Sequence, residues 1–199
     1  MKFQDIVKSM RVGLAEIKEI EEWFQHVYIE QREKPTEISK DKIMMPGKVY
    51  NFRYFVDTAK RFNDIQPVFL MLYAKKLDQQ YFVYGINMNL MPPKSRLQVL
   101  GKIHDYFYNK GIERSEENLQ LGRETEKLKI IYPQVKKLLH DTGFELALDA
   151  YRVTKIITKP AIITYSEWWK ICYLTPRYIK GINIVGLYQQ YELQKTNAK

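Results

Sequence analysis

Apolar residues Phe3, Val7, Met10, Leu14, Ile17, Ile20, Phe24 and Val27 recur at steps of three and four, which predicts an amphipathic N-terminal helix. Lys18, Glu19 and Glu22 mark its polar face, and Gly13 is placed to divide it. Residues 30–45 (EQREKPTEISKDKIMM) are charged, contain Pro35 and lack periodicity, as a connecting loop does. After the turn signal Pro46-Gly47 the pattern becomes strand-like over 48–56, 66–75 and 80–88. Asp78-Gln79 between the second and third runs predicts a hairpin. Gly85, inside a strand pattern, marks a bulge or a close backbone approach. Pro92-Pro93 stops the strands and opens a helix, since proline is tolerated where the first N–H has no helical partner. Leu97, Leu100, Ile103 and Phe107 form the apolar stripe of that helix, and Gly111 ends it.

Ser115 before Glu116-Glu117 predicts a capped helix running to about Ile131. Further segments are a helix over 133–140 stopped at Asp141-Thr142-Gly143, a short helix over 144–151, and a β-branched strand over 153–164 interrupted or edged by Pro160. Ser166-Glu167-Trp168-Trp169 reads as a capped short helix that ends before Pro176, and the polar tail after Gln190 is expected to fray. The pattern predicts an α+β fold: a small, strongly bent antiparallel sheet or barrel, flanked in sequence by helices on both sides. The expected organisation is an N-terminal helix and linker over 1–45, a core domain over 46–180, and a tail over 181–199. Tyr50, Phe52, Phe69, Leu70, Phe82 and Ile86 are the expected core.

Composition narrows the class. A chain of 199 residues, 45% hydrophobic, is long and apolar enough for one sizeable core. Its longest apolar stretches are strand-sized, so no membrane span is expected, and the N-terminus shows no secretory signal pattern. The single cysteine, Cys172, rules out an internal disulfide and a multi-cysteine zinc site, and suits a reducing cytosol. The net charge of +9 is uneven: residues 152–199 carry 8 Lys/Arg against 2 Asp/Glu, whereas residues 1–45 carry 8 against 9. An anionic partner near the C-terminal quarter follows from that asymmetry.

Catalytic patterns are absent. His26, His104 and His140 are far apart in sequence, and Cys172 lies in the apolar run Ile171-Cys172-Tyr173-Leu174, as a buried, inert thiol does. No phosphate loop, dinucleotide fingerprint or nucleophile elbow occurs, and no cofactor or metal is expected. A metal-dependent nuclease would need converging carboxylates. Asp57 and Asp64 lie at strand ends, but the acid–x–Lys triplet Glu16-Ile17-Lys18 falls on the N-terminal helix. Binding is therefore favoured over catalysis. Arg152, Lys155 and Lys159 punctuate a strand-like run, and Lys170, Arg177 and Lys180 follow among Trp168, Trp169, Tyr173 and Tyr178. Cations neutralise phosphates and aromatic faces stack on exposed bases, so these six are the candidate DNA-binding residues. At least one of the two tryptophans is expected in the core.

The order and spacing of several segments carry a resemblance. PGKVYNFRY, then Asp64-Ile65-Gln66-Pro67 with VFLML, then GINMNLMPPKSR are followed downstream by YRVTKIITKP, Ser166-Glu167-Trp168 and Tyr173-Leu174-Thr175-Pro176. Over roughly residues 46–180 this resembles a family of small structural proteins of large contractile-tailed phages, labelled DNA end protector or head completion. The resemblance implies a virion component assembled in the cytoplasm of the bacterial host. Its implied partners are DNA, at the genome's ends, and other phage structural proteins. The alternative is a neck or tail adaptor that contacts protein only.

Overall fold

A computed structural model describes residues 7, 13–26, 44–55, 66–109, 133–141, 143–174 and 186. Five strands form one antiparallel sheet: β1 (Val49–Asn51), β2 (Val68–Leu77), β3 (Gln80–Asn87), β4 (Leu148–Arg152) and β5 (Ala161–Ile163). Their spatial order is β4-β3-β2-β1-β5, so the strands latest in sequence occupy the two edges. Among the described residues four helices flank it in sequence: α1 (Leu14–Phe24), α2 (Pro93–Asn109), α3 (133–141) and α4 (Trp168–Tyr173). This is the expected α+β architecture. The sheet does not close into a barrel.

Each face of the sheet has its own core. Val68, Leu70, Leu72, Ile86, Val49 and Ile163 point to the helical side, where they meet Phe24, Leu100, Ile103, Leu139 and Ile171. Tyr50, Phe52, Phe69, Met71, Val83 and Tyr151 point to the other side and fill a concavity. The concavity exists because β1 continues past Asn51 and bends over it. Tyr54 bridges Ile156, the Phe55 N–H donates to the Lys155 carbonyl (2.9 Å), and the Ile157 N–H donates to the Arg53 carbonyl (2.8 Å). Tyr151 sits at its centre, with its ring edge-to-face against Phe52, Tyr54 and Phe69 at centroid distances of 5.2, 4.9 and 4.9 Å. Its hydroxyl accepts from Asn87 Nδ2 at 3.0 Å.

The β2–β3 hairpin turns at Asp78-Gln79, both at positive φ (45° and 65°), the backbone of a two-residue hairpin turn that follows the strand twist. Pairing runs from Leu77–Gln80 to Phe69–Asn87, interrupted by a bulge between Met71 and Tyr73. Leu72 and Tyr73 thus both serve the helical face. Gly85 lies opposite, where a Cβ would come within 2.1 Å of the Leu70 carbonyl oxygen and 2.7 Å of the Phe69 ring. Both readings of Gly85, bulge and close approach, hold at this one place.

At the far end of the hairpin, buried Asn51, Asn87 and Asn89 tie loops to strands. Asn51 Nδ2 donates to the Pro67 carbonyl, Asn89 Nδ2 to the Gln66 carbonyl, and the Asn89 N–H to Asn87 Oδ1. The GINMN segment is thus structural. Arg96 on α2 is buried as well: Nε donates to the Met88 carbonyl (2.8 Å), and Nη1 donates to the carbonyls of Ile171 (3.0 Å) and Leu174. It joins α2, the turn before it and the end of α4. Leu100 and Ile103 of the expected stripe are buried and Leu97 packs against the same core; Arg96, Val99 and His104 join them, and the side chain of Phe107 lies outside the described residues. His104 stacks on Tyr165 (5.0 Å, 25°).

Gly13 does divide the N-terminal pattern: it caps α1, and its N–H donates to Glu16 Oε2 at 2.9 Å. Gly143 at φ 82° ends α3, with the Phe144 N–H donating to the Leu139 carbonyl (2.8 Å) and the Gly143 N–H to that of His140 (3.1 Å). Two expectations fail, the second in part. Residues 144–151 are not a helix; a single 3-10 turn at Glu145–Ala147 leads into β4, whose pairing with β3 overrides the local helical pattern. Residues 153–155 are not strand: a 3-10 turn at Val153–Lys155 lets the chain round the corner from one sheet edge to the other, and the run is interrupted until Ala161–Ile163, directly after Pro160, pairs with β1. The predicted helix 115–131 and the tail after Gln190 lie outside the described residues.

Candidate nucleic-acid interface

β4 and the turn after it place Arg152 and Lys155 on the two sides of one corner. Arg152 pairs with Phe82 on β3, and its guanidinium lies 5.7 Å from that ring's centroid. The Lys155 ammonium lies 5.9 Å from the ring of Phe55, which is 63% exposed. Lys159 follows as an exposed residue before β5. The structure therefore groups these three around the edge-to-edge crossing. The sequence did not reveal their aromatic companions, Phe82 and Phe55, which come from distant strands.

Lys170 lies elsewhere. It projects from α4 over Trp23 of α1, 4.1 Å from the centroid, and within 6.0 Å of Trp169. Trp168 is core: it is buried, and its Nε1 donates to the Ile163 carbonyl at 3.3 Å. Tyr173 donates its hydroxyl to the Val7 carbonyl (3.1 Å), a tie to the N-terminal segment. These aromatic residues hold α4 and the N-terminal helix together. Arg177, Lys180 and Tyr178 lie outside the described residues, as do Asp57 and Asp64.

A second cationic and aromatic group was missed by reading sequence. The β2–β3 hairpin presents Lys75, Lys76 and Tyr81 exposed, with Lys76 Nζ 5.7 Å from the Tyr81 ring. Tyr73 and Tyr84 stack nearly parallel (4.7 Å, 5°), and Phe82 tilts beside Tyr84 at 6.4 Å. The signal was present as lysines and aromatics on both arms of a predicted hairpin, but the larger charge excess further on masked it.

Burial pushes the Cys172 thiol up to about 12, although the nearby Arg96 charge pulls the other way, so the thiolate is not formed at neutral pH. His140 pairs with Glu145 (2.6 Å), both exposed. Among the described residues no group of three His, Cys, Asp or Glu could hold a metal, and no helix is long and apolar enough to cross a membrane.

Fold and surface together define a small α+β protein that pairs cations with aromatic rings at its surface. Residues 2–181 match the family model described as the phage T4 terminal DNA protecting protein, and the chain belongs to that family. The family is one of structural DNA-protecting proteins and not of enzymes. The match extends over the N-terminal helix, beyond the segment from Pro46 that carried the resemblance. No curated protein and no solved structure matches the chain.

Proposed function

We propose that this protein binds the ends of phage DNA and shields them by occupancy, as a component of the virion. The observation that carries the reading is the corner formed by Arg152 over Phe82 and Lys155 over Phe55, in a chain of the DNA-protecting family. Cations there neutralise phosphates, while the folded body stands in the path of an exonuclease. Arg152, Lys155 and Lys159 are assigned to phosphate contact; Lys170, Arg177 and Lys180 extend the same role.

The test is exonuclease protection of linear duplex beside closed circular competitor, at about physiological ionic strength, where the screening length is ~8 Å. Protection against exonuclease but not endonuclease is expected. Changing Arg152, Lys155 and Lys159 together to alanine should weaken binding to all sequences alike and flatten the logarithmic salt slope by roughly 2–3. Equal affinity for circles with no protection, or no binding at low salt, overturns the reading. A role in head completion, by contact with other structural proteins, is the second reading. It is favoured by the exposed Ile157 and Ile162 beside and on edge strand β5. Binding of a neighbouring virion protein that Ile162→Lys abolishes, without any DNA affinity, would establish it in place of the first.

A further inference from the structure

Resting on that reading of a DNA-end binder, we propose that the outer half of the β4-β3-β2 face is a stacking platform for unpaired nucleotides at the terminus. The protein would then read an end that carries a short single-stranded overhang, beyond duplex phosphates alone.

The argument starts from register. Directly paired residues in an antiparallel sheet share a face, and so do residues two apart along one strand. Tyr73–Tyr84–Ala150 therefore form one row across β2, β3 and β4, and Lys75–Phe82–Arg152 form the next row outward on the same face. The row inward, Leu70–Ile86–Leu148, belongs to the core under the helices. The helical cover gives way at the first of these rows, since Tyr73 packs against that core while Tyr84 and Phe82 are half-buried and Lys75 is exposed.

The two rows hold the parts that single-strand binding requires. Aromatic faces supply sequence-tolerant stacking, and flanking cations follow the backbone. Tyr84 is covered on one side by the parallel ring of Tyr73. Directly beside it on β4 stands only Ala150, half-buried and small, so β4 sets a methyl group where an aromatic or long side chain would fill the space. A planar base fits against that side of Tyr84, above Ala150, with Phe82 and the Arg152 guanidinium next along the strand. Arg152 thus has two roles, holding phosphate and bordering the platform. Of the described acids near this face, Asp78 lies at the hairpin tip, and Asp149 sits between the rows on the opposite side of β4, where its carboxylate accepts from the Ala150 N–H (2.8 Å). The rows themselves contain no acid.

Fluorescence anisotropy with two labelled DNA hairpins tests this, one with a blunt end and one with four unpaired thymidines added to the same end. The intact protein should bind the overhang about tenfold more tightly, the effect of stacking roughly one base. Tyr84→Ala should bring the two affinities within about twofold, and Tyr84→Phe should keep the preference. Ala150→Leu fills the space beside the ring, keeps every aromatic residue and should also remove the preference, which decides the matter if Tyr84→Ala does not fold. Equal binding of both probes by the intact protein overturns the platform alone. A preference that survives Tyr84→Ala and Ala150→Leu also overturns it. Binding of neither probe at low salt overturns the platform together with end protection.

Discussion

Replacing Tyr151 with phenylalanine removes one oxygen atom from the middle of the concave aromatic cluster. That oxygen accepts from Asn87 Nδ2 at 3.0 Å, and both residues are fully buried. The Asn87 donor then loses this acceptor in a dry environment, which costs about 1–3 kcal/mol. For a chain of this length each kilocalorie lowers the melting temperature by roughly 2–4 °C, so Tyr151→Phe should melt about 2–12 °C below the parent. Tyr151→Ala removes the ring as well. Losing a buried aromatic side chain costs about 3–5 kcal/mol, and the edge-to-face contacts with Phe52, Tyr54 and Phe69 add to that. The total is comparable with the whole stability of a domain, and Tyr151→Ala should yield little folded protein. Urea unfolding followed by tryptophan fluorescence gives the numbers, with Asn87→Ala completing a double-mutant cycle. A Tyr151→Phe midpoint equal to that of the parent, together with zero coupling to Asn87, would refute the buried hydrogen bond and with it the account of the concavity.

Gly85→Ala places a methyl group 2.1 Å from a backbone oxygen that no side-chain rotation can relieve, so the loss should reach or exceed the ~3 kcal/mol upper range of overpacking, read from the urea midpoint. Wild-type stability would show that β2 and β3 do not approach as described. For Cys172, the folded thiol keeps its proton up to about 12, whereas the unfolded thiol releases it from about 9. The unfolded state then binds fewer protons, so this contribution is full below the lower value and is lost as pH rises through the window, at about 1.4 kcal/mol per pH unit. Stability of the parent relative to Cys172→Ala, measured from pH 8 to 11, should be flat at first and then fall; a flat difference throughout would mean the thiol is not buried.

The strands of the hairpin were legible because two β-rich runs bracket a two-residue turn, and the bounds found for β2 and β3 lie within two residues of those read. Tyr50, Phe52, Phe69, Leu70 and Ile86 are buried as expected, while Phe82 is half-buried because it lies outward of the last core row. What sequence concealed was long-range. β4 has no strand signature of its own and is made by pairing with β3. Arg96 and His104 were passed over as core because polarity argues for exposure, yet backbone carbonyls and the Tyr165 ring receive them. The candidate site was legible as charge and not as geometry. Arg152 and Lys155 were found by their clustering, whereas Phe82 and Phe55, 70 and 100 residues away in the chain, become their neighbours only through the sheet.

The bulge at Leu72 sets a direction. Such an insertion bends and over-twists its strand, and here it comes just before the arm that runs from Tyr73 to the turn. Five residues of strand make a lever of about 17 Å, so a change of ~10° in the bend would displace the hairpin tip by about 3 Å. The pairs Met71–Gly85 and Tyr73–Tyr84 lie on either side of Leu72, so a chain lacking that residue could keep every pair in the ladder and still point the arm elsewhere. Orientation and cohesion are thereby separable in this sheet. Lys75, Lys76 and Tyr81 ride on the lever, and where they meet a partner is decided by one extra leucine at its pivot.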